Sequence, residues 1–354
     1  MNADFILAIG ELGKEKGIDP ELLFQAVEEA LVTAYKKNFG SNQNVRVDMN
    51  KVTGELHIYA QRHIVAEVGD DPNEISLEEA RKIDPRYEVD DIVETEVTPR
   101  NFGRIAAQNA KQVVVQRIRE AERGMVFEKF SSRENDIVTG IIQRMENKNV
   151  YIDLGKAEAI LTPNEQIPGE IYQYHDRMKT YIVEVKKTSK GPQIMVSRTH
   201  PGLLKRLFEL EVPEIHDGLV EIKSVAREPG MRSKISVYTK DENIDPVGAC
   251  VGHKGMRVQT IVNELRGEKI DIVKYSSEPD QYVANALSPA KVVSTEVLEE
   301  EKICRVIVPD YQLSLAIGKE GQNARLAAKL TGWKIDIKSE SQAAEEAEQG
   351  AQEV

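Results

Sequence analysis

One short element occurs twice in this chain, and the duplication limits what the C-terminal half can fold into. Two glycines separated by two residues stand at positions 252–255 (Gly-His-Lys-Gly) and again at 318–321 (Gly-Lys-Glu-Gly). Each copy follows an apolar segment and precedes a segment with helical spacing, which closes on a glycine before a Lys-Ile-Asp-Ile strand. A duplicated segment of this kind indicates one supersecondary unit that is used twice.

The apolar pattern around each glycine turn predicts the same order of elements, α-β-β-α-α-β. In the first repeat unit (200–277) these are a helix at 203–210, strands at 220–226 and 234–239, helices at 246–251 and 256–266, and a strand at 269–274. In the second repeat unit (278–338) they are a helix at 279–286, strands at 291–298 and 303–309, helices at 311–317 and 322–330, and a strand at 333–338. Each glycine turn therefore joins two helices.

A glycine turn between two helices has the chemistry to hold a nucleic-acid backbone. The first N–H groups of the second helix lack intrahelical partners, and the helix dipole adds partial positive charge there. Glycine has no Cβ, so a sugar-phosphate chain can approach closely. A tight turn without a ligand is the alternative for one copy, but two copies beside basic residues favour RNA binding. The residues predicted to bind RNA are Gly252, His253, Lys254, Gly255, Arg257, Gly318, Lys319, Gly321, Gln322, Asn323 and Arg325.

The segment before the repeats, residues 133–199, predicts a small closed β-barrel of the OB type. Five short strands are expected within it, at 137–143, 149–154, 158–161, 180–187 and 193–197. Barrels of this type bind single strands through exposed aromatic and basic side chains. Tyr151, Tyr181, Arg144 and Lys148 are the candidate contacts. The alternative for each tyrosine is packing within the barrel.

The N-terminal segment, residues 1–124, mixes helices with a small sheet. Two helical segments open it, followed by a hairpin at 44–49 and 55–65, a helix at 76–83 capped by Ser76, a strand at 91–97 and a long helix from about 102 to 123 that ends at Gly124. At 100° per residue, Arg100, Arg104 and Lys111 share one side of that helix. These three residues, the basic strip, are predicted to face phosphate; the alternative is a solvated surface.

The charge of the chain is unevenly distributed. The net charge of −12 argues against nucleic-acid binding only if the charge is averaged over the whole chain. Residues 1–99 contain 10 basic and 21 acidic side chains, whereas residues 100–200 contain 17 and 12. Salt limits charge interactions to about 8–10 Å, so the local balance decides which partner can bind. Residues 124–133 are expected to be a connector, and the acidic tail at 339–354 is expected to be disordered.

Composition also limits the classes of activity. No apolar run reaches the ~18 residues that suggest a membrane span, so no membrane partner is expected. Cys250 and Cys304 are predicted to be buried thiols in a reduced cytoplasm. The six histidines are scattered along the chain and form no catalytic or metal-binding motif. We therefore expect no cofactor, no metal and no catalytic residue, and we expect that the protein is not an enzyme. The chain is expected to act as a monomer.

The α-β-β-α-α-β units resemble type II KH domains, and the barrel resembles an S1 domain. The carrying motifs are Tyr-Ile-Asp-Leu-Gly at 151–155 and Ile-Met-Val-Ser-Arg at 194–198 in the barrel, Arg-Asn-Phe-Gly-Arg-Ile-Ala-Ala-Gln at 100–108, Gln-Arg-Ile-Arg-Glu at 116–120, and the segment 318–333. With this domain order the chain resembles the bacterial NusA family of transcription termination and antitermination factors. The resemblance implies an α+β multidomain protein with an α/β N-terminal domain, an S1-type OB-fold barrel and two type II KH domains.

The same resemblance implies partners and an activity. Members of this family bind core RNA polymerase through the N-terminal domain and hold nascent single-stranded RNA along the S1 and KH domains. They enhance pausing and hairpin-dependent termination, and they join antitermination assemblies with other Nus-type factors. By this analogy the basic strip would face the emerging RNA hairpin, and the acidic residues 1–99 would contact the polymerase.

Two other functions use similar modules. Polynucleotide phosphorylase carries KH and S1 domains, but in the opposite order and after large catalytic domains for which this chain has no room. If this chain were such an enzyme, Mg²⁺ would have to bind at the acidic clusters at 70–74 and 78–79. These clusters are instead expected to be a loop and a solvated helix start. A ribosome-associated or RNA-processing protein is the second alternative.

Overall fold

The computed structural model describes residues 3–39, 42–69, 72–100 and 102–352, and the chain divides into two compact units, residues 1–126 and 127–354. We call them the N-terminal unit and the C-terminal unit. The N-terminal unit contains α1 (Ala3–Lys16), α2 (Pro20–Phe39), β1 (Asn44–Met49), β2 (Leu56–Val65), β3 (Glu74–Ser76), α3 (Leu77–Ile83), β4 (Ile92–Glu96) and most of α4 (Phe102–Ser131).

One four-stranded sheet organises the N-terminal unit. Strand β2 pairs with β1 and β4 antiparallel and with β3 parallel. Along β1 the side chains alternate between exposed and buried, and Val45, Val47 and Met49 enter a core shared with α2 and α4. Ser76 caps α3 by accepting a hydrogen bond from Glu79 N, as predicted. The predicted hairpin, helix and strand are therefore confirmed within one or two residues at each end.

Helix α4 is longer than predicted. The expected stop at Gly124 and the expected connector at 124–133 are wrong, because the helix continues to Ser131. Glycine costs a helix interior about 1 kcal/mol relative to alanine. Burial of a phenylalanine contributes about 1.5–3 kcal/mol, and Phe130 is buried while the Lys187 ammonium lies 4.4 Å from the centre of the Phe127 ring. These contacts of the last turn outweigh the cost of Gly124.

The C-terminal unit begins with the last turn of α4 and a closed five-stranded barrel. Its strands are β5 (Ile137–Glu146), β6 (Asn149–Asp153), β7 (Glu158–Leu161), β8 (Arg177–Thr188) and β9 (Gly191–Ser197). They pair in the order β5-β6-β7-β9-β8, and β8 closes the barrel by pairing antiparallel with β5. The prediction of a small closed barrel is confirmed.

Both repeat units have the predicted order of elements. The first contains α5 (Pro201–Glu211), a short α6 (Pro213–His216), β10 (Glu221–Glu228), β11 (Arg232–Tyr238), α7 (Pro246–Val251), α8 (Met256–Glu264) and β12 (Lys269–Lys274). The second contains α9 (Pro279–Ala286), β13 (Ser294–Leu298), β14 (Ile303–Val308), α10 (Leu313–Ile317), α11 (Gln322–Thr331) and β15 (Lys334–Ser339). In each, the repeated Lys-Ile-Asp-Ile strand lies parallel to the central strand, so β12 pairs with β11 and β15 with β14. Only α6 was not anticipated.

A buried arginine joins the barrel to the first repeat unit. The Arg198 guanidinium, 1% exposed, donates to the carboxylate of Glu170 at 2.5 Å and to the carbonyl oxygens of Lys179 and Glu264 at 2.9 Å each. Glu170 is equally buried, and Glu264 is the last residue of α8. Because buried charges are stable only when paired and hydrogen-bonded, this network fixes the barrel against the helix that follows the first glycine turn.

A second buried cation joins the two repeat units. The Lys234 ammonium on β11 donates to Asp271 at 3.0 Å and to the Ser288 carbonyl oxygen of the second unit at 2.8 Å. Burial lowers the pKa of Lys234, which opposes the effect of Asp271. Ala226 and Val273 of the first unit also pack within the core of the second. The two repeat units therefore share one interface of apolar and ionic contacts.

The end of the chain differs from its prediction. In place of a disordered tail from residue 339, the structure has α12 (Glu340–Gln352). Ser341 Oγ donates to Asp310 at 2.8 Å, and the Ser339 hydroxyl accepts from Gln342 N at 3.3 Å. The segment is rich in Ala, Glu and Gln, which are strong helix formers, so a capped start is enough to continue it as a helix.

Both cysteines are free and buried, as predicted, and burial raises the pKa of Cys250 to about 12. None of the described helices combines the length and the apolar composition that crossing a bilayer requires.

Candidate nucleic-acid interface

The two glycine turns have the same backbone conformation. The first glycine of each has φ/ψ of 72°/177° (Gly252) or 77°/171° (Gly318). The third residue is left-handed in both, at 50°/28° (Lys254) and 55°/27° (Glu320), and so is the last, at 77°/12° (Gly255) and 73°/13° (Gly321). Left-handed backbone costs other residues about 1–2 kcal/mol, so the repeated glycines maintain one turn geometry in two places.

Hydrogen bonds within each turn occupy some of the backbone N–H groups that were predicted to bind phosphate. Gly255 N donates to the Gly252 carbonyl oxygen at 3.1 Å, and Gly321 N donates to the Gly318 carbonyl oxygen at the same distance. These amides close the turn instead of facing a ligand. Those two backbone donors are therefore not free for a phosphate, which leaves the basic side chains of the turns.

The second residue of each following helix supports the turn from behind. Arg257 Nη1 donates to the Ala249 carbonyl oxygen at 2.6 Å and to Glu214 at 2.9 Å. Asn323 occupies the equivalent position, is buried, and its Nδ2 donates to the carbonyl oxygens of Ala316 and Leu287 at 3.0 Å each. Arg257 and Asn323 therefore each hold a carbonyl group of the helix before the turn, and their RNA contacts stay a prediction.

The same two residues make the first glycine of each turn sterically necessary. A Cβ on Gly252 would lie 2.7 Å from Arg257 Cγ, and a Cβ on Gly318 would lie 2.8 Å from the backbone nitrogen of Asn323. At Gly255 and Gly321 a Cβ would meet nothing within 4 Å. The two glycines of a turn therefore differ, since only the first is packed against the protein.

The side chains available to a ligand are those at the tips of the turns. His253 and Lys254 in the first turn and Lys319 in the second are exposed, and none of them makes an ion pair with another described residue. Such unpaired basic side chains are suited to phosphate. Arg325 is also exposed, but its Nε donates to Glu228 of the first repeat unit at 2.6 Å, and Gln322 Nε2 donates to the same carboxylate at 2.8 Å.

Glu228 was not among the residues that the sequence pointed to. It lies 97 residues before its partner Arg325, and no local pattern relates the two positions. The hydrogen bonds from Arg325 lower the pKa of this carboxyl, against the effect of burial. Glu228 therefore remains charged near neutral pH and holds the start of α11 against the first repeat unit.

On the barrel, one predicted contact is wrong. Tyr181 is only 6% exposed, its ring stacks on His200 at 4.5 Å between centroids, and its hydroxyl donates to Asn135 at 3.2 Å. Its position on β8 points it toward α5 instead of solvent, because the barrel packs there on the first repeat unit. Tyr181 is a core residue.

The other barrel candidates remain on the surface. The Arg144 guanidinium lies 3.9 Å from the centre of the Tyr151 ring and donates to Glu158 at 2.8 Å. This arrangement presents an arginine on an aromatic face, a pair on which an unpaired base can stack. Lys148 is exposed in the turn between β5 and β6.

The basic strip faces solvent, but of its three residues Arg104 and Lys111 lie on α4, whereas Arg100 precedes the first helical residue, Phe102. Arg100, Arg104 and Lys111 are exposed and make no ion pair with any described residue. The opposite side of the helix packs into the core of the N-terminal unit through Phe102, Ala106, Ala110 and Val114. Asn101, which the sequence placed in the same motif, lies outside the described residues.

Of the acidic cluster at 70–74, Asp70 and Asp71 lie outside the described residues. Within the ranges that the structure describes, no three His, Cys, Asp or Glu side chains form a group that could hold a metal ion.

Profile models of known families match four consecutive segments of the chain. They are the NusA N-terminal domain at residues 4–124, the S1 RNA binding domain at 131–197, the NusA-like first KH domain at 198–275 and the NusA-like second KH domain at 279–345.

Curated relatives match almost the entire chain. A protein of Halalkalibacterium halodurans named transcription termination/antitermination protein NusA is 66% identical over 345 residues, which is 98% of this chain and 90% of the relative. The protein of the same name from Bacillus subtilis is 65% identical over 98% of this chain and 93% of its own length. Among solved structures, the solution structure of the N-terminal domain of NusA from B. subtilis is 55% identical, covers 35% of this chain and 99% of that domain, and gives a TM-score of 0.32.

Proposed function

Since the chain belongs to the NusA family of transcription termination/antitermination proteins, we propose that it binds core RNA polymerase and nascent single-stranded RNA. In this proposal it modulates pausing, hairpin-dependent termination and antitermination. It acts on transcribing polymerase in the cytoplasm, as a monomer and with other Nus-type factors. It performs no catalytic step of its own.

The observation that carries the RNA-binding part is the pair of matching glycine turns. Both have the same backbone dihedral angles, and both present exposed cations without an internal partner, Lys254 in one and Lys319 in the other. Buried contacts of Arg198 and Lys234 connect the barrel and both repeat units. One strand of RNA can therefore be bound at several points of the C-terminal unit, which multiplies weak individual contacts.

Features of the N-terminal unit support the proposed binding of polymerase and of RNA hairpins. Its first 99 residues are strongly acidic, while the basic strip, with Arg100 just before α4 and Arg104 and Lys111 on it, carries three cations with no carboxylate partner among the described residues. Cations at Arg104 and Lys111 are two helical turns apart, about 10 Å along the axis, so both can reach phosphates of one RNA stem. Double-stranded RNA is recognised chiefly through its backbone and shape, and this strip meets that requirement.

Two binding measurements test the proposal with the whole chain. We expect stoichiometric association with core RNA polymerase, and salt-sensitive binding of an unpaired RNA oligonucleotide. Co-purification with ribosomes and no association with polymerase would favour the ribosomal alternative. Cleavage of RNA by the pure protein in the presence of Mg²⁺ would contradict the non-catalytic part.

Charge reversal in the basic strip is expected to separate hairpin recognition from single-strand binding. The double change Arg104→Glu and Lys111→Glu should shorten pauses at hairpins by about five-fold or more, because two phosphate contacts become repulsions. Its affinity for an isolated single strand should stay within about two-fold, since the glycine turns are untouched. Transcription through a hairpin pause site and a titration with unpaired RNA measure the two effects.

The matched control reverses two exposed lysines elsewhere in the N-terminal unit, Lys14→Glu and Lys37→Glu. It has the same change in net charge and is expected to pause like the wild type. An equal loss of both activities in the Arg104/Lys111 variant would show that the strip is not a separate hairpin surface.

A further inference from the structure

The sheet of each repeat unit has an outer face, which is turned away from the core of its own unit. In the first unit this outer face is covered by the second unit. Lys234 on β11 donates to the Ser288 carbonyl oxygen at 2.8 Å, and Val273 on β12 packs in the core of the second unit. Two helices of the second unit lie on the face, α9 against β12 and α11 against β10 and β11. The first outer face is therefore an interface between two folded units.

Strand register identifies the equivalent outer face of the second unit. Arg232 pairs with Lys269 in the first sheet, and Ile303 pairs with Lys334 in the second. Because side chains alternate along a strand, the residues next to the buried positions of β13, β14 and β15 point outward. Four central positions of the first outer face are Ala226, Lys234, Asp271 and Val273, and their equivalents in the second unit are Glu296, Arg305, Asp336 and Lys338.

Helix α12 occupies on the second outer face the place that α9 occupies on the first. It follows β15 directly and lies against β14 and β15. Its Glu346 pairs with Lys338, whereas Tyr282 of α9 packs in one core with Val273, the equivalent of Lys338. The two helices therefore cover equivalent strands at equivalent positions.

The two helices are held on their sheets by different kinds of contact. In α9, Val283 and Ala286 are fully buried. In α12, Ala343 is half-buried and the other side chains from 340 to 346 are exposed. The polar contacts that hold α12, which we call the latch, are Ser341 N and Oγ to Asp310 at 3.2 and 2.8 Å, Gln342 N to the Ser339 hydroxyl at 3.3 Å, and Lys338 to Glu346. Exposed polar contacts stabilise little, so α12 can leave the sheet while the rest of the unit stays folded.

The outer face of the second unit is complementary to itself. It carries charges of both signs on neighbouring strands, and Glu296 and Arg305 are 63% and 52% exposed. Half-buried Ile303 and Ile307 lie on either side of Arg305 along β14. Contact about a two-fold axis places residues of one patch opposite residues of the same patch, so such a face can pair with its own copy through opposite charges and apolar contact.

We propose that α12 is a displaceable cover, which prevents the outer face of the second repeat unit from binding the same face of a second copy of this chain. With the latch closed the chain is a monomer. With α12 displaced, two copies pair through the face whose equivalent in the first unit already binds a folded unit. This control acts on assembly, so it is independent of the RNA and polymerase binding proposed above.

The double change Asp310→Ala and Glu346→Lys in the full chain tests the cover. It removes two contacts of the latch and leaves the outer face unchanged. Hydrogen exchange at the amides of residues 340–346 should become about five-fold faster or more, because α12 is open for a larger fraction of the time. In sedimentation velocity the wild type should remain a monomer, whereas the latch variant should form a dimer with a Kd of about 10–100 µM.

A matched control changes the same charges elsewhere. Asp217 and Glu242 of the first repeat unit are exposed and make no ion pair with a described residue. Asp217→Ala with Glu242→Lys should therefore exchange and sediment like the wild type. Glu346→Lys alone breaks one contact of the latch and should give an intermediate exchange rate.

A third change separates the cover from the face. Arg305→Glu, added to the latch variant, places like charges at the centre of the face, so the dimer should weaken by about ten-fold or more while α12 stays open. Wild-type exchange at 340–346 in the latch variant would show that the latch does not hold α12. An open α12 without a dimer at about 100 µM, or a dimer that Arg305→Glu does not weaken, would overturn pairing through this face.

Discussion

An aspartate in place of Gly318 is expected to weaken the binding of unpaired RNA by at least about ten-fold, because it adds a negative charge to the turn whose exposed lysine, Lys319, is proposed to bind phosphate. It also strains the turn. Gly318 has φ of +77°, and its new Cβ would lie 2.8 Å from the backbone nitrogen of Asn323. Gly252→Asp should act in the same direction, with a smaller loss of stability, because its Cβ meets the side chain of Arg257 and not backbone.

The last glycine of the same turn separates strain from charge. Gly321 has φ of +73°, and a Cβ at this position would meet no other atom within 4 Å. Gly321→Ala therefore costs about 1–2 kcal/mol of backbone strain without a clash or a charge. Its RNA affinity should fall by less than about three-fold. Fluorescence anisotropy gives the affinities, and thermal unfolding shows whether each variant is folded. A folded Gly318→Asp protein that binds RNA like the wild type would show that the turn is only structural.

The second large effect is expected on stability. Arg198→Met should lower the free energy of unfolding of the C-terminal unit by about 3–5 kcal/mol, because the buried Glu170 carboxylate loses its main cation and keeps only the Tyr172 hydroxyl at 2.7 Å and Arg266 at 3.8 Å. Both side chains are 1% exposed, and the arginine also satisfies two backbone carbonyl oxygens. Methionine retains most of the buried volume, so the loss measures the ionic network and not a cavity.

An exposed arginine of the same barrel is the control. Arg144 pairs with Glu158 and Glu146, and its side chain is 47% exposed, so Arg144→Met should cost less than about 1 kcal/mol. The double change Arg198→Met and Glu170→Gln should recover part of the loss, since no unpaired charge then remains. Urea unfolding followed by circular dichroism measures all three. Equal costs for Arg198→Met and Arg144→Met would mean that the buried network does not hold the barrel to the first repeat unit.

Local signals were sufficient for much of the fold. Strand 269–274 and helices 246–251 and 279–286 begin and end at the predicted residues. A proline at the first turn opens both helices, and the Asp245 cap and Gly252 mark the two ends of helix 246–251. The prediction failed where a distant contact decided the outcome. Helix α4 passes Gly124 because Phe130 is buried in the C-terminal unit, and no signal within the helix indicates that.

The candidate site also contains some residues that local signals identify and others that only distant contacts explain. Spacing and residue type were enough to find both glycine turns and their exposed lysines. They were not enough to show that Tyr181 is buried and donates to Asn135, or that Arg257 pairs with Glu214. A hydrogen bond to a residue more than 40 positions away leaves no trace in a local pattern.

The sequence alone determines which modules this protein contains. They are a repeated helix–glycine turn–helix unit, a small barrel before it and an acidic N-terminal segment with a basic helix. These features depend on short-range periodicity and on glycine, whose effects act within a few residues. Tertiary structure decided which cations remain free for a ligand and which are consumed, and it placed Lys269 of one repeat beside Lys319 of the other. The reason is physical: pairing, burial and clefts arise only when segments far apart in the chain are packed together.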